Sequence, residues 1–129
     1  MSYIKTYAYA MRKEDFDSLI ETAEKESYKE GKRLLIEGKP YIIERDGKEY
    51  AVGDSRDMDY KYNSLAWSDF ANLARRSKHG VVLLSYVDCD DDGVDSTIWG
   101  EDYPGFDDNL YDLISYKIVW NLPERWANA

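Results

Sequence analysis

Gly80 to Asp112 reads GVVLLSYVDCDDDGVDSTIWGEDYPGFDDNLYD. It opens on the continuous apolar run Val81-Val82-Leu83-Leu84, continues through Ser85-Tyr86-Val87, and breaks at Asp88 into an acidic loop. A short apolar run rich in β-branched and aromatic residues and bounded by polar residues reads as a buried strand. Between Asp88 and Asp112 there are ten acids and no Lys or Arg. The whole chain has 26 acids and 17 bases, so without this segment 16 acids face 17 bases, a remainder of +1. The protein is a near-neutral body carrying one concentrated negative segment.

Upstream of that stretch the hydrophobic period changes several times. Ser2 to Ala10 alternates, with Tyr3, Lys5, Tyr7 and Tyr9 on one face and Ile4, Thr6, Ala8 and Ala10 on the other, the period-two pattern of a strand. In Lys13 to Glu30, Phe16, Leu19, Ile20 and Ala23 form one helical stripe, and Gly31 is placed to cap its C-terminus. Glu14, Asp15 and Asp17 suit the first turns, where the helix dipole favours anions. Leu34-Leu35-Ile36 fits either an extension of that helix or a short strand. Asp46-Gly47, between the runs Pro40–Glu44 and Glu49–Gly53, is a strong hairpin signal. Asp54 to Asn63 reads as a loop. Ser64 can cap a helix with the stripe Leu65, Phe70, Leu73 and Ala74 and with Trp67 at its edge, ended by Arg75, Arg76, Lys78 and Gly80.

Downstream, Leu110, Leu113 and Ile114 suit a helix started by Asp107 or Asp108, while Ile114, Tyr116, Ile118 and Trp120 suit a strand. The expected fold is therefore a single α+β domain over residues 1–129. It has an antiparallel sheet of four to five strands packed by two to three helices, in the element order of a ferredoxin-like split βαβ sandwich.

Composition narrows the function classes. A chain with 43% hydrophobic and 15% aromatic residues is folded rather than disordered. Twelve Tyr and four Trp suit core edges and interfaces alike. A net charge of −9 disfavours direct binding to nucleic-acid phosphates or anionic membranes. No apolar run is long enough to span a membrane, the N-terminus lacks the pattern of a signal peptide, and a single cysteine excludes an internal disulfide. These point to a soluble, cytoplasmic protein. Cys89 lies between Asp88 and Asp90, where negative charge disfavours a thiolate nucleophile. The only histidine, His79, sits at a helix end and reads as a capping or solvent-facing group. No complete catalytic signature is present, so the chain is expected not to be an enzyme.

The acidic segment supports three functional readings. Asp88-Cys89-Asp90-Asp91-Asp92-Gly93 resembles the DxDxDG opening of an EF-hand calcium loop. That resemblance implies Asp88, Asp90 and Asp92 as side-chain ligands, Val94 as the carbonyl ligand and Ser96 at the water-mediated position. The match then fails: Trp99 stands where the bidentate Glu belongs, Asp95 where an apolar residue belongs, and Glu101 comes two places late. An apolar strand ending in Asp-x-Asp also resembles the first motif of haloacid-dehalogenase-type phosphatases, which implies Asp88 as nucleophile and Asp90 as acid/base; the Asp-rich loop is loosely similar to that of nucleoside hydrolases. Both families place such a strand early in a much longer fold, and no Lys follows near this loop.

The third reading is mimicry of nucleic acid, and it is the one the charge pattern favours. Duplex DNA carries about one charge per 1.7 Å, so ten spread carboxylates match roughly 17 Å of duplex. Two carboxylates about 7 Å apart in water repel by roughly 0.6 kcal/mol, so ten in one segment carry a cost that suggests use. The composition is similar in character to small phage-encoded inhibitors of the anti-restriction and anti-CRISPR type. The expected partner is the basic groove of a nucleic-acid-handling protein. The expected contact residues are Asp88, Asp90, Asp91, Asp92, Asp95, Trp99, Glu101, Asp102, Tyr103, Phe106, Asp107, Asp108, Tyr111 and Asp112, with the aromatics as anchors among the charges. No cofactor is expected in this reading; calcium belongs to the alternative.

Overall fold

A computed structural model describes residues 5–54, 64–87 and 95–114. Five strands, β1 (Lys5–Arg12), β2 (Tyr41–Arg45), β3 (Lys48–Asp54), β4 (Val81–Val87) and β5 (Asp95–Trp99), form one antiparallel sheet in the order β2-β3-β1-β4-β5. The first four have the order of a split βαβ, with β3 between β2 and β1. Among the described residues four helices accompany them, one more than the sequence pattern indicates: α1 (Lys13–Lys25), α2 (Lys29–Glu37), α3 (Ser64–Ala74) and the short α4 (Asn109–Ile114). The α+β class and the antiparallel sheet stand as expected.

Alternation along the strands sorts the sheet into two faces. Tyr7, Tyr9, Met11, Ala51, Val81, Leu83 and Trp99 point toward α1, α2 and α3, where Leu19, Ala23, Leu34, Leu35, Phe70 and Leu73 meet them. Ala8, Ala10, Tyr50, Val52, Val82 and Leu84 point the other way, toward Leu110 and Leu113 of α4. The Asp46-Gly47 pair closes a two-residue hairpin between Arg45 and Lys48, with positive φ of 56° and 75°.

Two readings are corrected. The expected long helix is two helices, separated at Ser27, whose φ of 61° lies in the left-handed region. Leu34-Leu35-Ile36 belongs to the second of them. Gly31 is no cap. It lies inside α2 where α3 crosses, and a Cβ there would come within 2.7 Å of Leu73 Cδ1 and 3.0 Å of Asp69 Cβ. The same crossing satisfies the start of α2, because Asp69 Oδ2 accepts from the N–H groups of Glu30 and Gly31 at 3.1 and 3.2 Å. The end of α2 is satisfied from beneath: the Tyr7 hydroxyl donates to the Leu34 carbonyl and that of Tyr9 to Leu35, the latter at 2.5 Å. These carbonyls belong to the last turn, which has no partner within the helix.

The second correction concerns the acidic loop. Asp95–Trp99 is a strand, paired with β4 in the register Val81↔Trp99 to Ser85↔Asp95. Of the acids described, Asp95 therefore begins β5 and the others lie in the segment that follows it.

Candidate functional site

The segment after β5 is a strap of consecutive turns, residues 100–108, that leads into α4. It leaves the sheet at Gly100 and lies against the turn that precedes β4. Gly80 and Gly100 face each other with positive φ of 95° and 84°. A Cβ at Gly100 would come 3.2 Å from Gly80 Cα, and one at Gly80 would collide with the Phe106 ring. Side chains at these positions would push the strap off. It is held further by the Asp107 N–H, which donates to the His79 carbonyl at 3.0 Å, and by the Tyr103 hydroxyl, which donates to the Arg75 carbonyl at 3.0 Å.

Asp107 is the strap's buried polar anchor, with only 4% of its side chain exposed. Its carboxylate accepts from Arg12 Nε at 2.6 Å, from the Tyr50 hydroxyl, and from the Asn109 N–H at 3.0 Å. Burial alone would raise its pKa. The hydrogen bonds from Tyr50 and Arg12, with that of Asn109, outweigh burial and hold the carboxyl below its ordinary value. The reciprocal effects fit: burial, then the hydrogen bond to Asp107, pushes the Tyr50 phenol up, and Asp107 outweighs burial to raise Arg12. Asn109 Nδ2 extends the network by donating to Tyr50 Oη at 3.0 Å and to Asp46 Oδ2 at 3.1 Å, which ties α4 to the β2–β3 turn.

A second buried carboxylate, Asp15 at the start of α1, accepts from the N–H groups of Lys78 and His79 at 2.9 and 3.0 Å. His79 is neither a plain helix cap nor simply solvent-facing. Its ring touches Glu14 through Nε2 and the Gly105 carbonyl oxygen through Nδ1 at 2.9 Å.

Outward from this anchored base stand Glu101, Asp102, Asp108 and Asp112, all exposed. Tyr111, also exposed, donates its hydroxyl to Glu101 Oε2 at 2.5 Å and packs on Phe106 with ring centroids 5.3 Å apart. The hydrogen bond to Glu101, then partial desolvation and the charges of Glu101 and Asp108, push the Tyr111 phenol up to about 12. Asp112 lies 3.9 Å from Arg45 Nη1, a long surface pair that leaves much of its field facing solvent.

The other expected contact residues divide into two groups. Trp99 and Asp107 are buried: Trp99 sits 5.5 Å from Phe70 and 5.6 Å from Trp67 between ring centroids, and Asp107 is consumed by Arg12 and Tyr50. Tyr103 and Phe106 are half-buried and fasten the strap. These four build the surface rather than forming it. Asp88, Asp90, Asp91 and Asp92 lie outside the described residues, as does the calcium-loop and phosphatase geometry read on them; Asp95 is placed in β5 by its backbone alone. Among the described residues no three His, Cys, Asp or Glu side chains converge as metal ligands, and no helix is long and apolar enough to cross a membrane. Comparison of the chain with known protein families, curated proteins and solved structures finds no match.

Proposed function

We propose that the protein is a binding protein that offers an acidic, aromatic-bearing face to a basic protein surface, and that it inhibits a nucleic-acid-handling partner by occupying its phosphate-binding groove. The observation that carries this reading is the division of labour in the strap and α4. Asp107, Phe106 and Tyr103 are turned into the fold, and Glu101, Asp102, Asp108, Asp112 and Tyr111 are left outside. A merely solubilising acid run needs no buried anchor. An interface does, because fixing its groups beforehand lowers the ordering cost of association. Tyr111, locked to Glu101, supplies the rigid amphipathic ring that recurs at the centre of protein interfaces. The segment that carries the face has no Lys or Arg between Asp88 and Asp112, and the cation beside it, Arg45, meets Asp112 only at the long distance of 3.9 Å.

The test is capture from a lysate of a nucleic-acid-binding protein, competed with duplex DNA and repeated across salt concentrations. The expected result is a basic partner released by DNA, with affinity falling as salt rises. Reversal of Asp102 and Asp108 to Lys should abolish capture, as should reversal of Asp90, Asp91 and Asp92. Capture indifferent to DNA and to these reversals would discard the proposal.

A further inference from the structure

The chain's single histidine stands where the strap meets α1. Both of its ring nitrogens face acceptors: Nδ1 the Gly105 carbonyl oxygen at 2.9 Å, and Nε2 the Glu14 carboxylate. Neither acceptor carries a proton to give, so each contact is a hydrogen bond only when the facing nitrogen is protonated. A neutral imidazole has one such proton and an imidazolium has two. The backbone around the ring is fixed independently, since Asp15 accepts from the Lys78 and His79 N–H groups and the His79 carbonyl accepts from the Asp107 N–H. The strap also lies close on the ring; a Cβ at Gly105 would come 3.1 Å from the Lys78 carbonyl oxygen and 3.6 Å from Nδ1.

We propose that His79 is a proton-operated clasp between the strap and the first turn of α1, gripping Gly105 and Glu14 together when doubly protonated and releasing Gly105 when singly protonated. The choice of released partner follows from acceptor strength: a carboxylate binds a proton donor more strongly than a neutral carbonyl, so the last proton stays on Nε2. The charged groups around the ring permit this. From α1 come Glu14 and Asp15, from the strap Asp107, and from the end of β1 Arg12, whose Nη1 is 3.6 Å from the same Glu14 oxygen. Lys78 is the exposed neighbour in the turn. Asp107 is committed to Arg12 and Tyr50 and stays ionised through the range, from about pH 5 to 8, in which histidine ordinarily changes charge. The side chain is 23% exposed, so the proton exchanges with solvent.

The consequence for binding rests on the acidic-face reading, because the strap carries Glu101 and Asp102 and leads into α4. The clasp itself is tested without a partner. In the labelled protein a long-range proton–nitrogen correlation reads the one imidazole directly, while amide exchange of residues 100–108, normalised to intrinsic rates, reads the strap. The expected result is two protonated ring nitrogens at the acid end of the imidazole's transition and Nε2 alone at its alkaline end. Strap protection relative to the helix core should fall roughly fivefold between these conditions, the worth of one modest hydrogen bond. His79→Asn, which keeps a non-titrating donor toward Gly105, should make the profile flat. Glu14→Ala alters only an exposed side chain and should also flatten it, by letting the last proton move to Nδ1. Equal wild-type protection at both pH values, or a fall that persists in either variant, would overturn the clasp. Either outcome leaves the capture experiment to judge the acidic face on its own.

Discussion

On one side of the sheet Tyr7, Tyr9, Phe70, Leu73 and Trp99 are sealed under three helices; on the other, Ala8, Ala10, Val52 and Val82 are met by Leu110 and Leu113 of a six-residue helix. The helix face is closed mainly by apolar area, and its polar groups serve helix ends: two tyrosine hydroxyls finish α2 and the Asp69 carboxylate starts it. The strap face joins its smaller apolar cover to a polar network in which Asp107, Arg12, Tyr50 and Asn109 satisfy one another. A buried ionic network is a poor way to gain stability, because desolvation offsets much of the attraction. Its value lies in fixing one arrangement of a segment with little apolar surface to hold it. The helix face maintains the fold, and the strap face presents a surface.

The largest expected loss comes from the helix face. Phe70 is fully buried, with Tyr9 and Trp99 at ring-centroid distances of 6.2 and 5.5 Å. Phe70→Ala should lower unfolding free energy by about 3–5 kcal/mol in denaturant titration, the usual penalty for a large core cavity. All elements should lose protection together. Asp107→Asn should cost about 2–3 kcal/mol, because Arg12 loses its buried counter-charge and Tyr50 its strongest acceptor. Here the loss should be uneven, with amide exchange rising first in residues 100–114. The pH dependence follows the depressed pKa of Asp107. Its contribution is complete above the ordinary aspartate value of about 3.9 and is lost as pH falls below that through the lower folded value. The variant should lack that acid-side component. If both substitutions loosened the whole molecule equally, the contrast between the faces would be wrong.

Much of the fold was legible because its signals are local. Asp46-Gly47 specifies a hairpin, the run from Val81 specifies a strand, and Leu110 and Leu113 specify the inner side of a helix. The break between α1 and α2 was not legible, because Ser27 adopts a left-handed conformation that neither glycine nor proline announces. Strand β5 was hidden in an acidic setting that resembles loop. The charge of the candidate face was plain, but its orientation was not. Asp107 and Asp108 are identical neighbours, one buried and one exposed. What separates them is Arg12 and Tyr50, 95 and 57 positions from Asp107, and no reading of nearby residues finds those partners.

Smaller effects sharpen the contrast. Tyr9→Phe keeps the ring against Phe16 and Phe70 and removes only the donor to the Leu35 carbonyl. Its cost should be about 1–2 kcal/mol by thermal or chemical unfolding, including the penalty of an unsatisfied carbonyl under α2. Amide exchange should rise at the end of α2 and stay unchanged in the strap.

The smallest expected change in stability belongs to the residues with the largest proposed role. Asp102 and Asp108 are exposed and lie outside the buried network that Asp107 completes. Reversing both to Lys should shift unfolding free energy by no more than about 0.5 kcal/mol, as for surface sites without special contacts. Dilution of like charges and loss of an anion at the start of α4 oppose each other, so the net shift should be small, and both parts are largest at low salt. Melting and capture measured on the same preparation then separate the two roles of one segment. An unaltered melt with abolished capture would show that Asp107 holds the strap in place while its neighbours do the binding. A large loss of stability would mean that Asp102 or Asp108 is part of the anchor, and the boundary between scaffold and surface would have to move outward by one layer of residues.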